Sequence, residues 1–309
     1  MIPVLPNGLK RFLKLAFYRY NPFCYAFIDE PDLPLLRKKI DNYFSLFFWM
    51  RKRYQKELEF LTSKADYSNP FSFVYPYSFV LEYDFRSIDV REDKSKGLYY
   101  VNHKGKRLYY SRAFTSTQAV QENHNLITFE QDKRSPHRYV NHSFAVDDND
   151  IVLDVGAAEG NFSLGIVEKV KKLYIFETDP LWIEALNATF EPWKEKVHIV
   201  NKYVSDVDSE HSICLDNFFT DQKVDFIKVD VEGAEASVLS GARGLIRCSP
   251  SLKIAICTYH RKNDAKKIKH FLSKNSFDCS FTEGYILFVY AKLCAPFFRK
   301  GILRARRRG

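Results

Sequence analysis

The feature that most constrains the fold is a rhythm that begins after Asp148-Asn149-Asp150. From there, short apolar runs alternate with segments of helical spacing, and the first run ends in glycines. Ile151–Val155 (IVLDV) has the near-continuous apolar character of a strand buried on both faces. Phe162, Leu164, Ile166, Val167 and Val170 then recur at helical spacing over 161–171. Further strands are predicted at 173–176, 197–204, 224–229 and 252–258. Helices are predicted to open at Pro180 and near Ala234, and to span 262–274. Phe277–Phe281 and 285–290, joined at Glu283-Gly284, are expected to form a terminal antiparallel pair. Strand alternating with helix implies a parallel sheet covered on both faces, a doubly wound α/β fold over 146–295.

No such alternation precedes residue 150. Residues 34–64 read as helical, being rich in Leu, Lys, Arg, Glu and Phe with no internal Pro or Gly. LYYVN and RLYYS flank His103-Lys104-Gly105-Lys106 as a hairpin, and 115–145 carries no clear pattern. Residues 1–105 are thus expected to be an N-terminal α+β extension, a helical and aromatic region for acceptor binding or docking. In it and just beyond, Tyr99, Tyr100, Tyr109 and Tyr110 offer stacking faces or core packing. The catalytic domain is expected at 106–298 and a basic C-terminal tail at 299–309.

The net charge of +9 gathers partly at the ends, in Lys10, Arg11, Lys14 and Arg19 and in Arg299, Lys300, Arg304, Arg306, Arg307 and Arg308. Such clusters suit anionic lipid, acidic glycan or nucleic acid. No apolar run approaches the roughly 18 residues that span a bilayer. The best candidate, 43–50 (YFSLFFWM), stops at Arg51-Lys52-Arg53. The early cations interrupt any signal-peptide core, so the expected location is cytoplasmic, with peripheral contact at the inner membrane surface. Of the six cysteines no two lie closer than nine residues, which excludes a CxxC zinc or thiol-redox motif.

Chemistry concentrates at predicted strand ends, where doubly wound sheets bind ligands. The first strand runs into Asp154-Val155-Gly156-Ala157-Ala158-Glu159-Gly160-Asn161, a turn leading into a helix whose N-terminal amides favour an anionic group. The G-x-G-x-x-G dinucleotide pattern fails at Ala158 and Asn161, and no G-x-x-x-x-G-K-[ST] loop exists. Glu177, in FETDP, closes the second strand and can accept two hydrogen bonds from a ribose diol. A glycine-poor loop followed by a ribose-binding acid suits S-adenosylmethionine, which has a diol and no phosphate. The cofactor set is therefore Asp154, Gly156, Ala157, Ala158, Glu159, Gly160, Asn161, Phe162, Glu177, Thr178, Ser205, Asp206 and Asp230. Asp230 and Glu232 end the fourth strand, Glu235 opens the next helix, and His260 ends the fifth strand. No resident metal is expected; a metal-assisted variant would draw on Asp230, Glu232 and Glu235 as hard oxygen ligands.

DVGAAEGNFSL, the FETDP acid, DFIKVDVEGAE followed by Leu239-Ser240-Gly241-Ala242, and ICTYHRKND together resemble the FkbM family of S-adenosylmethionine-dependent methyltransferases. The resemblance covers about 107–300 and includes SPHRY. It implies a class I methyltransferase (Rossmann-like) fold with seven strands, and O-methyl transfer to a sugar hydroxyl of a glycan or glycolipid. On that reading His260 or Asp230 takes the alcohol proton and Glu232 orients the acceptor. Two alternatives stand beside it. A nucleic-acid methyltransferase would share the fold, yet no N-P-P-[YF] tetrad occurs, and Lys228 with Asp230 supplies only part of a Lys-Asp-Lys-Glu set; no specific nucleic acid is expected as a partner. A silent binding protein would keep the fold without the chemistry. The oligomeric state is left open.

Overall fold

The computed structural model describes residues 21–26, 31–66, 70–220, 222–290 and 292–308. The chain divides into two units, one of Tyr83–Gly284 with Lys300–Gly309 and one of Met1–Glu82 with Tyr285–Arg299.

The larger unit opens with a three-stranded antiparallel sheet, β1 (Val90–Asp93), β2 (Leu98–His103) and β3 (Lys106–Tyr109). Lys104 and Gly105 both take positive φ between β2 and β3, the geometry of a type I′ hairpin. Tyr109 and Tyr110 are core residues, with the Tyr110 hydroxyl 2.8 Å from His124 Nδ1, so of the four tyrosines only Tyr99 and Tyr100 keep partly exposed rings. Helix α1 (Thr117–Glu130) follows, capped by Ser116, whose hydroxyl accepts from Ala119 N. Only Val120, Ile127 and Phe129 mark its buried apolar side, too sparse a stripe to read in 115–145.

The alternating region then builds β4 (Ile151–Val155), α2 (Asn161–Ile166), β5 (Lys172–Phe176), α3 (Pro180–Phe190) and β6 (Val197–Val200). A side pair, β7 (Tyr203–Ser205) and β8 (Ser212–Cys214), precedes α4 (Leu215–Phe218), β9 (Phe226–Val229), α5 (Glu235–Ser240), α6 (Arg243–Cys248), β10 (Lys253–Cys257), α7 (Asp264–Lys274) and β11 (Phe277–Phe281). The predicted third strand is thus cut after Val200, because β7 leaves the main sheet to pair in parallel with β8.

The chain's last strand, β12 (Ile302–Arg307), corrects two expectations. It enters the main sheet antiparallel to both neighbours, giving the order β11-β12-β10-β9-β4-β5-β6. The segment expected as a basic tail is therefore an internal strand. Residues 285–290, expected to pair with β11, belong to the smaller unit. Ile302, Leu303 and Ala305 are buried, while arginines at the intervening positions hid the strand character. Those arginines cap carbonyls: Arg304 donates to Tyr139 O at 2.9 Å and Arg138 O at 2.6 Å, and Arg306 donates to Ser143 O. The cations at Lys10, Arg11, Lys14 and Arg19 lie outside the described residues.

The smaller unit carries helices Leu33–Leu46 and Gln55–Ser63, with the 3-10 turn Phe48–Tyr54 between them, where one continuous helical region was expected. Asp32 caps the first by accepting from Leu35 N; Leu36, Ile40 and Phe44 are buried on that helix and Leu58 and Leu61 on the second. Cys24–Tyr25 pairs antiparallel with Leu293–Cys294. The units divide after Glu82 and the chain returns to the smaller one over 285–299, whereas the sequence suggested divisions at 105 and 298.

Arg304→Ala should lower stability by about 1–3 kcal/mol, because two carbonyls lose a charged donor. Arg308→Ala, removing an exposed pairing with Asp278, should cost under about 0.5 kcal/mol. Denaturant melts of the two variants check this; equal losses would remove Arg304 from its proposed clamping role.

Candidate active site

Strand order reverses at β4, whose neighbours are β5 on one side and β9 on the other. The glycine loop follows β4 and the Asp230–Glu235 segment follows β9, so both sit at the switch point where such sheets bind ligands. At Gly156 φ is +76°, and a Cβ would lie 1.8 Å from the Asp230 carbonyl oxygen, so only glycine lets the two strand ends meet. Ala158 takes φ +46° with a Cβ in place, a left-handed conformation held by its surroundings.

Glu177 supplies that hold. Its Oε2 accepts from Ala158 N at 2.8 Å, and its Oε1 from Thr178 N at 2.6 Å and Asp179 N at 3.0 Å. The carboxylate at the tip of β5 thus faces the 154–160 bend, as the sequence reading requires. Glu159, half-buried in the same bend, is pushed up to about 7 by desolvation. Asn161 begins α2, and Ala157 is buried.

Other members of the expected cofactor set point elsewhere. Asp154 is fully buried and accepts from Ser163 Oγ at 2.7 Å, with Lys228 Nζ 3.0 Å from its other oxygen. Lys228 also donates to Gly156 O, so this pair locks the loop from within, with Asp154 fully buried. Burial opposes the Lys228 charge, but Asp154 and Asp230 hold it above the usual lysine value. The Phe162 ring packs between Tyr139 and Phe226, with centroids at 5.7 and 5.8 Å, which makes it core. Ser205 donates to Asp206 Oδ1 at 3.2 Å, and its carbonyl abuts Gly241 after α5. Among the described residues no hydrogen bond joins either of these two to the glycine loop.

A buried polar network surrounds Asp230. Tyr139 OH donates to Asp230 Oδ2 at 2.7 Å, and His137 Nε2 lies 3.5 Å from the same oxygen. His260 Nε2 lies 3.6 Å from Oδ1. Burial works to raise the Asp230 carboxyl, but the His137 hydrogen bond and the charges of His260 and Lys228 outweigh it and hold the group far below the carboxylate range. So firmly ionised a carboxylate is a poor acceptor for an alcohol proton, which disfavours Asp230 as base.

His260 is buried on Glu235, with Nδ1 2.6 Å from Oε1; since a carboxylate only accepts, Nδ1 carries the proton. Glu235, itself fully buried, also accepts from Gly233 N at 3.2 Å, so the same carboxylate ties the turn before α5 and holds His260. Burial lowers the His260 pKa, but the Glu235 hydrogen bond and the charges of Asp230, Glu235 and Glu232 exceed it, leaving a net rise from 6.5. Glu232 has an exposed side chain and φ +54° in the turn between β9 and α5.

His137 and Tyr139 had no assigned role in the sequence reading. SPHRY pointed to them, but no spacing rule joins a loop at 135–139 to a strand end at 230. Two triads, Asp230-Glu235-His260 and His137-Asp230-Cys257, place donor atoms within 4.8 Å of one another and could hold a cation. Glu232, expected in a metal-assisted set, belongs to neither.

This sheet and its switch-point site define the class I methyltransferase fold. The Methyltransferase FkbM domain matches residues 98–281, more than half of the chain, and the chain belongs to that family. No curated protein sequence matches it. Similar solved structures include methyltransferase FkbM from Methylobacillus flagellatus, at 19% identity over 61% of this chain and 53% of that one, TM-score 0.44. A putative RNA methyltransferase from Pyrococcus horikoshii shows 16% identity over 52% and 73%, TM-score 0.34. A putative methyltransferase from Streptococcus mutans in complex with SAH shows 12% identity over 53% and 91%, TM-score 0.39. The chain spans about half the length of the Methylobacillus protein.

His260 should titrate above 6.5 in the folded protein, and Glu235→Gln should bring it down. Its contribution to stability is then complete below the unfolded value and lost as pH rises through the folded one. Imidazole NMR titration reads both; a Glu235→Gln protein with an unmoved His260 would contradict the pairing.

Proposed function

We propose that the protein is an S-adenosylmethionine-dependent O-methyltransferase acting on a sugar hydroxyl of a glycan or glycolipid in the cytoplasm. The observation that carries this is the Glu177 carboxylate facing the 154–160 bend, at the same sheet end as a buried His260 oriented by Glu235. Family membership supports the cofactor.

The donor set fits the cofactor's chemistry: a ribose-binding carboxylate and a bend without a phosphate loop. Glu177 would hold the diol, with Thr178, Asn161 and the Gly156–Gly160 backbone beside it. When bound, S-adenosylmethionine supplies an electrophilic methyl group on a sulfonium. The chain must hold the acceptor oxygen in line, and such positioning contributes roughly 7–11 kcal/mol in favourable cases. His260 takes the hydroxyl proton, a role typically worth about 10²–10⁴-fold. Glu235 fixes its tautomer and disperses the charge, while Glu232 orients the acceptor from the exposed turn. Only neutral His260 can act as base, so turnover should rise with pH through its raised pKa.

His260→Gln should lower turnover at least tenfold with cofactor affinity changed less than threefold by calorimetry, whereas Glu177→Ala should weaken cofactor binding at least tenfold. Labelled methyl donor incubated with lipid-linked glycan and total RNA fractions tests the acceptor. Label is expected in carbohydrate; label confined to RNA would move the reading to a nucleic-acid enzyme.

A further inference from the structure

The smaller unit carries a surface that the methyl-transfer reading does not use. The helix Leu33–Leu46 ends in the turn Phe48–Tyr54, and there Leu46, Phe48 and Trp49 stand 61%, 69% and 63% exposed. Single exposed apolar residues are ordinary, but three large ones within four positions form a patch. Rings hold one another in place: Trp49 packs edge-on against Phe47 at 5.4 Å and Phe48 at 5.6 Å, and Phe47 lies 4.7 Å from Tyr43. The patch is therefore a fixed projection built on the buried Phe44 and Tyr54.

Charge follows it immediately. Arg51, Lys52, Arg53 and Lys56 are exposed, and 46–56 contains no carboxylate. Arg53 is tied to Tyr285 Oη at 2.9 Å, but Arg51 and Lys52 form no ion pair among the described residues. An open cleft of about 630 Å³ beside the turn is lined by Arg51, Lys52, Gln55, Glu59, Thr62 and Ser63. Its cations can meet an anionic headgroup, while the Thr62 and Ser63 hydroxyls are committed to the Leu58 and Glu59 carbonyls and the Gln55 amide to the Glu59 carboxylate.

We propose that this turn is a monotopic docking tip for an anionic lipid bilayer: Leu46, Phe48 and Trp49 enter the interface while Arg51 and Lys52 meet the headgroups. Aromatic side chains favour the membrane interface, and an adjacent basic cluster adds attraction to anionic lipid. A second copy is the less suitable occupant, because a self-complementary contact would bring the cations of the two tips together. The C-terminal arginines expected to meet lipid are poorly placed for it, since Arg304 and Arg306 are spent on carbonyls within the larger unit. The proposal is independent of the acceptor's identity.

The test uses the full chain with phosphatidylcholine vesicles, with and without phosphatidylglycerol. Sedimentation should require phosphatidylglycerol and weaken as salt rises. In a Trp182→Phe/Trp193→Phe chain, Trp49 emission should shift to the blue and be quenched by brominated acyl chains. Phe48→Ser/Trp49→Ser should reduce partitioning at least tenfold, and Arg51→Glu/Lys52→Glu should erase the preference for phosphatidylglycerol. Phe48, Trp49, Arg51 and Lys52 are exposed, so circular dichroism of the Ser and Glu variants should match that of the chain they are made in. Undiminished binding by Phe48→Ser/Trp49→Ser would overturn the proposal. So would absent vesicle binding, with or without a dimer that this variant dissociates; such a dimer would assign the tip to a second copy.

Discussion

Everything at the switch point depends on the buried pair of Lys228 and Asp154. They stand opposite one another in the parallel register of β9 and β4, so an ion pair crosses the two central strands near their carboxyl ends. Desolvating both charges is costly, and removing one partner from such a pair typically costs about 3–5 kcal/mol. What the pair secures is position. Lys228 also reaches the Gly156 carbonyl and Asp154 takes the Ser163 hydroxyl, so the loop is tied to the strand before it and the helix after it. With the bend held in this way, the Ala158 amide faces Glu177.

A second constraint comes from the far end of the chain. Arg304 and Arg306 on β12 hold the carbonyls of Arg138, Tyr139 and Ser143, and Ile302 N donates to Pro136 O at 3.1 Å. The segment so fixed delivers His137 and Tyr139 to Asp230. His137, together with the charges of His260 and Lys228, keeps Asp230 ionised, and an anion that stable anchors its neighbours better than it accepts protons. The division of labour between Asp230 and His260 thus depends on a strand that composition alone marked as a tail.

The legible elements were those whose sequence and burial share one cause. β4, β5, β9 and β10 are buried on both faces, so their apolar runs announce them, and Pro180 marks α3 because its missing N–H is harmless in a first helical turn. Glu177 was legible because a strand-tip acid 19 positions after Ala158 has few other places to lie. Strand β12 was not, since its arginines satisfy backbone oxygens that only the folded chain brings near. That Phe162 and Asp154 are buried was not legible for the same reason: motif position says where the backbone goes, not which way a side chain turns.

Sequence alone determined the parallel α/β sheet, the bend after β4, the acid that faces it, and the carboxylates and histidine at the ends of β9 and β10, because each follows from local periodicity or from residue type at a strand end. Tertiary structure alone decided that Asp154 is internal, that His137 and Tyr139 join Asp230, that Glu235 holds His260, and that the last strand closes between β11 and β10. Those are contacts between segments up to about 165 residues apart, where partners are selected by burial and charge pairing and leave no local spacing to read.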